Sequence, residues 1–274
     1  MGAGAKVRIG FIGAGKVGCS LARYLRENGA ELVGFFSRTH EHAQEAAAFT
    51  GGEAFNTAAD AALASDVTFL TCTDAELPKI ATELAAVLGK AAAGKAFAHC
   101  SGALAADVLA PLREAGAAAC SAHPLYAVSS RFDCWQELGR AWFTLEGDEA
   151  AVEPVEELLA SCGNHVVRIP ASEKVRYHAA AVMASNLVVG LYDLAASELA
   201  TCGFAPADAE AALAPLFLGN AEHIAADGVA ASLTGPAARG DSATIDAHLS
   251  CLCGDTKQVY QLLTRVLYSI AGQN

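Results

Sequence analysis

The stretch Val7-Arg8-Ile9-Gly10-Phe11-Ile12-Gly13-Ala14-Gly15-Lys16-Val17-Gly18 constrains the fold more than any other part of the chain. A short apolar run leads into glycines spaced Gly-x-Gly-x-x-Gly, with a helical pattern behind them. That order predicts a strand, a tight turn and the first turn of a helix. Gly13 lets the chain turn sharply, Gly15 lets backbone approach a pyrophosphate, and Gly18 lets helix and strand pack closely. A helix starting here would aim its free N–H groups and positive dipole end at an anion. Gly13, Ala14, Gly15, Lys16, Val17 and Gly18 are therefore the expected cradle of a dinucleotide. A tight structural turn without a ligand is the plain alternative.

The rest of the chain repeats strand and helix. Apolar runs at residues 31–36, 53–55, 67–72, 95–100, 117–121, 141–145 and 165–169 alternate with helical spacing at 19–28, 40–49, 57–64, 75–88, 104–115 and 149–161. Such alternation implies an α/β domain with a doubly wound parallel (Rossmann) sheet and right-handed crossovers. Pro170 marks a change, and no strand is predicted after residue 172. Residues 173–200 read as one long helix, apolar nearly all round, so it must be enclosed. Residues 206–226 form another helix with a break or kink at Pro215, and two more helices follow residue 241. The expected domains are 1–170, binding the dinucleotide, and 171–274, an all-helical domain for substrate and dimerisation. A helical domain of about 100 residues has little core of its own, so a second subunit is expected to share the enclosure.

Composition narrows the partners. A net charge of −12 argues against nucleic acid or an anionic membrane surface, and 53% hydrophobic residues exclude a disordered chain. The first six residues lack the apolar core of a signal peptide. The most apolar run, 179–196, contains Ser185, Asn186 and Asp193 and reads as a buried helix, not a membrane span. Nine cysteines without a Cys-x-x-Cys pair suit reduced thiols and a cytoplasmic setting. His248, Cys251 and Cys253 stand close together, but no second ligand pair accompanies them, and no metal is expected.

Ligands of doubly wound sheets sit beyond the carboxyl ends of the strands. By that rule residues 13–18, 37–39, 73–74, 101–102 and 123–124 share one rim. A carboxylate after the second strand would accept from a ribose 2′-hydroxyl and select NAD. Ser37, Arg38 and Thr39 stand there instead and suit a 2′-phosphate, so NADP(H) is the expected cofactor. Thr73, Asp74, Ser101 and Gly102 complete the expected cofactor contacts, with Gly102 letting backbone pass close to a nicotinamide ring.

Lys174 and His178 lie four apart on one helix face, with Ser185 near that face three turns on. Lys174 is the candidate general acid or base for a substrate oxygen or nitrogen while hydride moves. His178 and His123 are candidates to orient or protonate substrate, with Ser101 beside them. The plain alternatives are a solvated lysine, a half-buried histidine and a histidine bracing its loop. In the loop 233–241, Thr234 and Arg239 are candidate substrate contacts, Arg239 for an anionic group.

Taken together, these residues resemble known families. The N-terminal two-thirds resembles the NADP-binding domain shared by β-hydroxyacid dehydrogenases, 6-phosphogluconate dehydrogenase, pyrroline-5-carboxylate reductase and deazaflavin-dependent NADP reductases. The strings His99-Cys100-Ser101-Gly102, Ser121-Ala122-His123-Pro124-Leu125, Lys174 with Tyr177-His178-Ala179-Ala180, and Leu233-Thr234-Gly235-Pro236 with Arg239-Gly240-Asp241 resemble a bacterial oxidoreductase family. That family pairs a Rossmann-like domain with a helical domain of unknown function. In the β-hydroxyacid dehydrogenases a catalytic Lys is followed four residues later by a substrate-binding Asn. The resemblance implies that role for Lys174, whereas His178 stands where the Asn would be. Their glycine-rich substrate signature is also missing ahead of Lys174. The expectation is an NADP(H)-dependent oxidoreductase moving hydride to or from a small carbonyl, hydroxyl or imine compound, as a homodimer through its helical domain. A non-catalytic NADP-binding sensor on the same fold is the alternative.

Overall fold

The computed structural model describes residues 6–272. They form an eight-stranded sheet covered by helices, followed by a helical C-terminal region, an α/β fold. The chain divides into two compact units, residues 1–183 and 184–274.

The first unit runs β1 (Arg8–Ile12), α1 (Lys16–Glu27), β2 (Glu31–Phe36), α2 (His40–Thr50), β3 (Glu53–Ala54), α3 (Ala58–Ala64) and β4 (Val67–Leu70). It continues with α4 (Leu77–Leu88), β5 (Ala96–His99), α5 (Ala110–Glu114), β6 (Ala118–Leu125), β7 (Trp142–Gly147), α6 (Glu149–Ser161), β8 (Val166–Arg168) and α7 (Lys174–Met183). The strand order is β3-β2-β1-β4-β5-β6-β7-β8, so the winding reverses between β1 and β4. A crevice at such a reversal, beyond the carboxyl ends of the strands, is where doubly wound sheets bind ligands.

Burial explains why the interior strands are so apolar. Every residue of β4 and β5 is buried, because helices cover both faces. Register sets Phe11 beside Phe35 and Phe69, and the three rings stack at 5.3 and 5.1 Å on one face with Leu21, Leu25, Val152 and Leu159. On the opposite face Ile12, Leu70 and Phe97 meet Leu77, Leu84 and Leu112.

The sheet departs from the expected pattern in two ways. β7 pairs antiparallel with β6, whereas the other neighbouring pairs are parallel. β6 also runs on through Leu125, so His123 and Pro124 belong to a strand, not to the loop expected after residue 121. Past the last β5 pairing, His99 with Ser121, β6 pairs only with β7. Its other side is then an edge, where the missing N–H of Pro124 costs nothing.

The expected long helix is also two. A turn at residues 184–185 separates α7 from α8 (Asn186–Thr201), which begins the second unit, so Ser185 does not continue the face of Lys174 and His178. The stretch Ala171–Thr201 has the length and mean hydropathy, 1.5, of a membrane span. The turn interrupts it, and the 16 residues of α8 fall short of the roughly 20 that a hydrocarbon core requires.

The second unit continues with α9 (Pro206–Asp227), one helix with Pro215 inside it and so without a break there, and α10 (Val229–Ser232). α11 (Gly235–Arg239), α12 (Ser242–Cys251) and α13 (Gly254–Ile270) complete it. Arg239-Gly240-Asp241 is a helix junction: Gly240 closes α11 at φ +66°, and the Asp241 carboxylate accepts from the Thr244 N–H at 3.1 Å to cap α12. An apolar cavity of about 450 Å³ is lined by Leu191, Leu194, Ile245, Tyr260 and Leu263. The expectation that residues 179–196 are buried fails within one chain. Ala196 is the buried residue of α8, while Leu187 and Val189 are 58% and 71% exposed.

Candidate active site

The glycine turn has the build of a phosphate cradle. Gly13 sits at φ +113°, and a Cβ there would come within 2.8 Å of the Thr71 carbonyl carbon. A Cβ on Gly18 would collide with the Gly13 carbonyl oxygen. Both glycines are thus required by packing at the β1–α1 junction. The turn is pinned further by Thr71 Oγ1, which donates to Gly13 O at 2.8 Å, and by Gly13 N, which donates to Phe36 O at 2.8 Å. Gly15 differs, because a Cβ there would meet nothing within 4 Å. Gly15 and Lys16 are exposed, Val17 is half-buried and Ala14 is buried. No side chain caps the N-terminus of α1. Open space over Gly15 and an uncapped helix start fit a pyrophosphate.

Ser37, Arg38 and Thr39 follow β2 on the same rim. The Arg38 side chain is 82% exposed and meets Glu76 at 3.3 Å, while Thr39 begins α2 without making a side-chain cap bond. A guanidinium this free can turn to a 2′-phosphate. Thr73 and Asp74 follow β4 and are exposed. They do not cap α4, which begins later behind Glu76.

Where β5 and β6 end, polar groups gather around Lys174. Its side chain is 1% exposed, and its ammonium donates to Ser101 O at 2.9 Å and to Ser121 Oγ at 2.6 Å. Burial lowers its pKa, and nearby Glu146 partly opposes that. Glu146 lies opposite Ser121 in the β6–β7 register and accepts from the Ala106 N–H at 2.6 Å. The lysine is therefore a clamp joining α7 to β5 and β6, not the water-facing side chain of the plain reading. Ser101 is equally engaged. Its hydroxyl accepts from the N–H groups of Ala103 and Leu104, and its own N–H donates to His99 Nδ1 at 3.2 Å.

His123 Nδ1 lies 2.7 Å from the Tyr177 hydroxyl, and the His123 and His178 rings meet edge to face at 6.3 Å. Gly102 fits beneath these two imidazoles. A Cβ on it would come within 2.7 Å of His178 Nδ1 and 2.8 Å of His123 Nε2. Its smallness thus serves the histidines directly. His178 Nδ1 is buried and makes no hydrogen bond among the described residues, and His99 lies against the Ala105 backbone. Burial, reinforced by the Lys174 charge, holds His99 and His123 down at about 4, so both are neutral at pH 7.

The sequence-predicted residues Lys174, His178, His123, Ser101 and Gly102 therefore form one cluster. Tyr177, Ser121, His99 and Glu146 belong to it without having been nominated. Their signal is periodicity: Ser121 and His123 share a face of β6, and Lys174, Tyr177 and His178 fall at i, i+3 and i+4 on α7. Thr234 and Arg239 are exposed residues of the second unit, Thr234 at the apolar cavity described above. His248 Nδ1 lies 2.7 Å from the Tyr260 hydroxyl.

Two family models match the chain, a Rossmann-like domain over residues 3–124 and the Domain of unknown function (DUF2520) over residues 141–267. No curated protein is similar enough in sequence to count as a relative. Among solved structures, protein TM1727 from Thermotoga maritima shares 25% identity at a TM-score of 0.76, over 97% of this chain and 98% of that one. The Plasmodium falciparum pyrroline carboxylate reductase with NADP bound shares 12% at 0.57, over 97% and 98%. An imine reductase from Pseudomonas sp. shares 15% at 0.63, over 98% of both. At these last two identities the likeness is one of fold.

Proposed function

We propose that this chain, a Rossmann-like domain joined to a DUF2520 domain, is an NADP(H)-dependent oxidoreductase acting on a small carbonyl, hydroxyl or imine compound. One observation carries the reading: a single sheet rim holds both an open glycine cradle and a cluster of Lys174, His123, Tyr177 and His178. The open backbone at Gly15 and the free start of α1 suit the pyrophosphate, and Arg38 suits a 2′-phosphate. When bound, the nicotinamide supplies or accepts hydride. This chain's own residues then manage position and the proton. Lys174 fixes the Ser101-Gly102 turn, and Gly102 lets His123 and His178 close over it. The kinship of fold with reductases that include an NADP-bound one agrees with this reading. Arg239 and Thr234 are proposed contacts for an anionic substrate group.

The test is transfer of deuteride from 4-deuterated NADPH to a panel of carbonyl and cyclic imine compounds, with NADPH and NADH binding measured alongside. Label in a reduced product supports the enzyme. Tight NADPH binding with no label in any product would instead favour a non-catalytic sensor on the same fold.

A further inference from the structure

Every hydride delivered to the carbon of a C=O or C=N group requires one proton on the oxygen or nitrogen. Resting on the oxidoreductase reading, the question is which side chain of the Lys174 cluster supplies it. Lys174 is badly placed, because it is 1% exposed and two of its N–H groups are committed to Ser101 O and Ser121 Oγ. His123 is neutral at pH 7 and has one ring proton, with Tyr177 oxygen 2.7 Å from Nδ1. Tyr177 is half-buried, and burial pushes its phenol above the usual range, so it holds its proton at neutral pH. A general acid must be loaded in that way before the reaction.

The position of the His123 ring proton decides what Tyr177 can do. A proton on Nε2 would leave Nδ1 to accept from the phenol, locking the tyrosine proton in place. A proton on Nδ1 makes His123 the donor to the tyrosine oxygen and leaves the phenolic O–H free to turn away from the imidazole, with Thr144 the other side chain at that oxygen. The Nε2 edge lies against Gly102 and the His178 ring, and among the described residues no hydrogen bond holds a proton there.

We propose that Tyr177 is the catalytic proton donor and that His123, protonated on Nδ1, is the positioning residue that holds its oxygen. In the reductive direction, two electrons and a hydrogen pass from the reduced nicotinamide to the substrate carbon. The Tyr177 O–H bond breaks as the new O–H or N–H bond forms on the substrate. The phenolate, held by the Nδ1–H of His123, is reprotonated by solvent. One hydride and one proton are consumed, and the nicotinamide leaves oxidised.

Two measurements test this. Long-range ¹H–¹⁵N correlation spectra of the cofactor-free protein at pH 7 report the His123 tautomer; a proton on Nδ1 is expected, and a proton on Nε2 would overturn the proposal. With 2-methyl-1-pyrroline and NADPH as the probe pair, Tyr177→Phe should lower kcat by about 10²- to 10⁴-fold with KM and NADPH affinity within a few-fold. His123→Asn, whose amide N–H can replace Nδ1–H, should keep most of kcat, while His123→Ala should not. Full kcat in Tyr177→Phe, with label transfer intact in the wild type, overturns the tyrosine assignment alone. Absence of NADPH binding and of label transfer in the wild type overturns the oxidoreductase reading and the proposal with it.

Discussion

Arg38 offers the sharpest test of the cofactor. Without ligand its guanidinium is 82% exposed and 3.3 Å from Glu76, which also meets Lys79 at 3.0 Å. An exposed pair of this kind contributes about 0–1 kcal/mol, so Arg38→Ala should leave the melting temperature nearly unchanged. Against a 2′-phosphate the same side chain would make charged hydrogen bonds of about 1.5–3 kcal/mol. Subtracting the Glu76 contact it gives up leaves about 0.5–3 kcal/mol, a loss of roughly 2- to 150-fold in NADPH affinity. NADH has no 2′-phosphate and should lose less than about twofold on the same scale. Glu76→Gln should act in the opposite sense, tightening NADPH by removing the competing carboxylate. Calorimetric titration of both nucleotides at low and physiological salt checks all three, and the Arg38 effect should shrink as salt screens it. Equal losses for NADPH and NADH would refute the 2′-phosphate role.

Three further outcomes follow from the Lys174 cluster. Lys174→Met removes the donors to Ser101 and Ser121 and loosens the turn beneath the histidines; turnover should fall on the order of 10²-fold with NADPH affinity nearly intact, and unchanged turnover would refute the clamp. Gly102→Ala forces a methyl against His123 and His178 and should cost about 1–3 kcal/mol, lowering the melting temperature by roughly 2–4 °C per kcal/mol. A variant as stable as the wild type would contradict that packing. His99 is held at about 4 against an ordinary 6.5, so between those values the unfolded chain binds more protons and stability falls as pH drops. Going from pH 7 to pH 5 should cost about 1–2 kcal/mol through this group. His99→Gln should abolish that share of the acid sensitivity in urea unfolding, and an unchanged pH dependence would exclude His99 as its source.

What the sequence disclosed follows from where the physics is local. Gly13 and Gly18 are needed because neighbouring backbone occupies the space of their side chains, and that demand is written into the hexapeptide itself. The strands at 67–70 and 96–99 are almost wholly apolar, with Thr68 and His99 the exceptions, because both faces are covered, as in the interior strands of a parallel sheet. Strand direction is different, since Trp142–Leu145 presents the same apolar run whichever way its neighbour points. The length of β6 was hidden for a related reason. His123 and Pro124 look like loop residues until β7 supplies a partner. The break at residues 184–185 has no local signal, because Ala184 and Ser185 do not forbid a helix. In the site, Lys174 and His178 stood out by charge and spacing, whereas Tyr177 passes for a core aromatic until His123 is found against its hydroxyl.

The exposed apolar side chains of the second unit lead to one last prediction. Leu187, Val189, Leu216, Leu218 and Val266 are each more than half exposed, although the sequence expects such a helical face to be covered. Isolated surface hydrophobes need no explanation, but a set on α8, α9 and α13 of one small unit is more than a solvated monomer ordinarily carries. A second copy of the chain is the expected cover, so light scattering should report a mass twice that of one chain. Charge at the face discriminates between cover and solvent. In a monomer, Val189→Glu at a 71% exposed position should shift stability by no more than about 0.5 kcal/mol. Inside an interface the same carboxylate would be buried without a partner at a cost of several kcal/mol, enough to weaken association a hundredfold or more. The variant should therefore elute at the mass of one chain with its fold retained by circular dichroism. A wild type that stays at the mass of one chain at all concentrations would refute the dimer, and an undisturbed dimer in the variant would remove α8 from its interface.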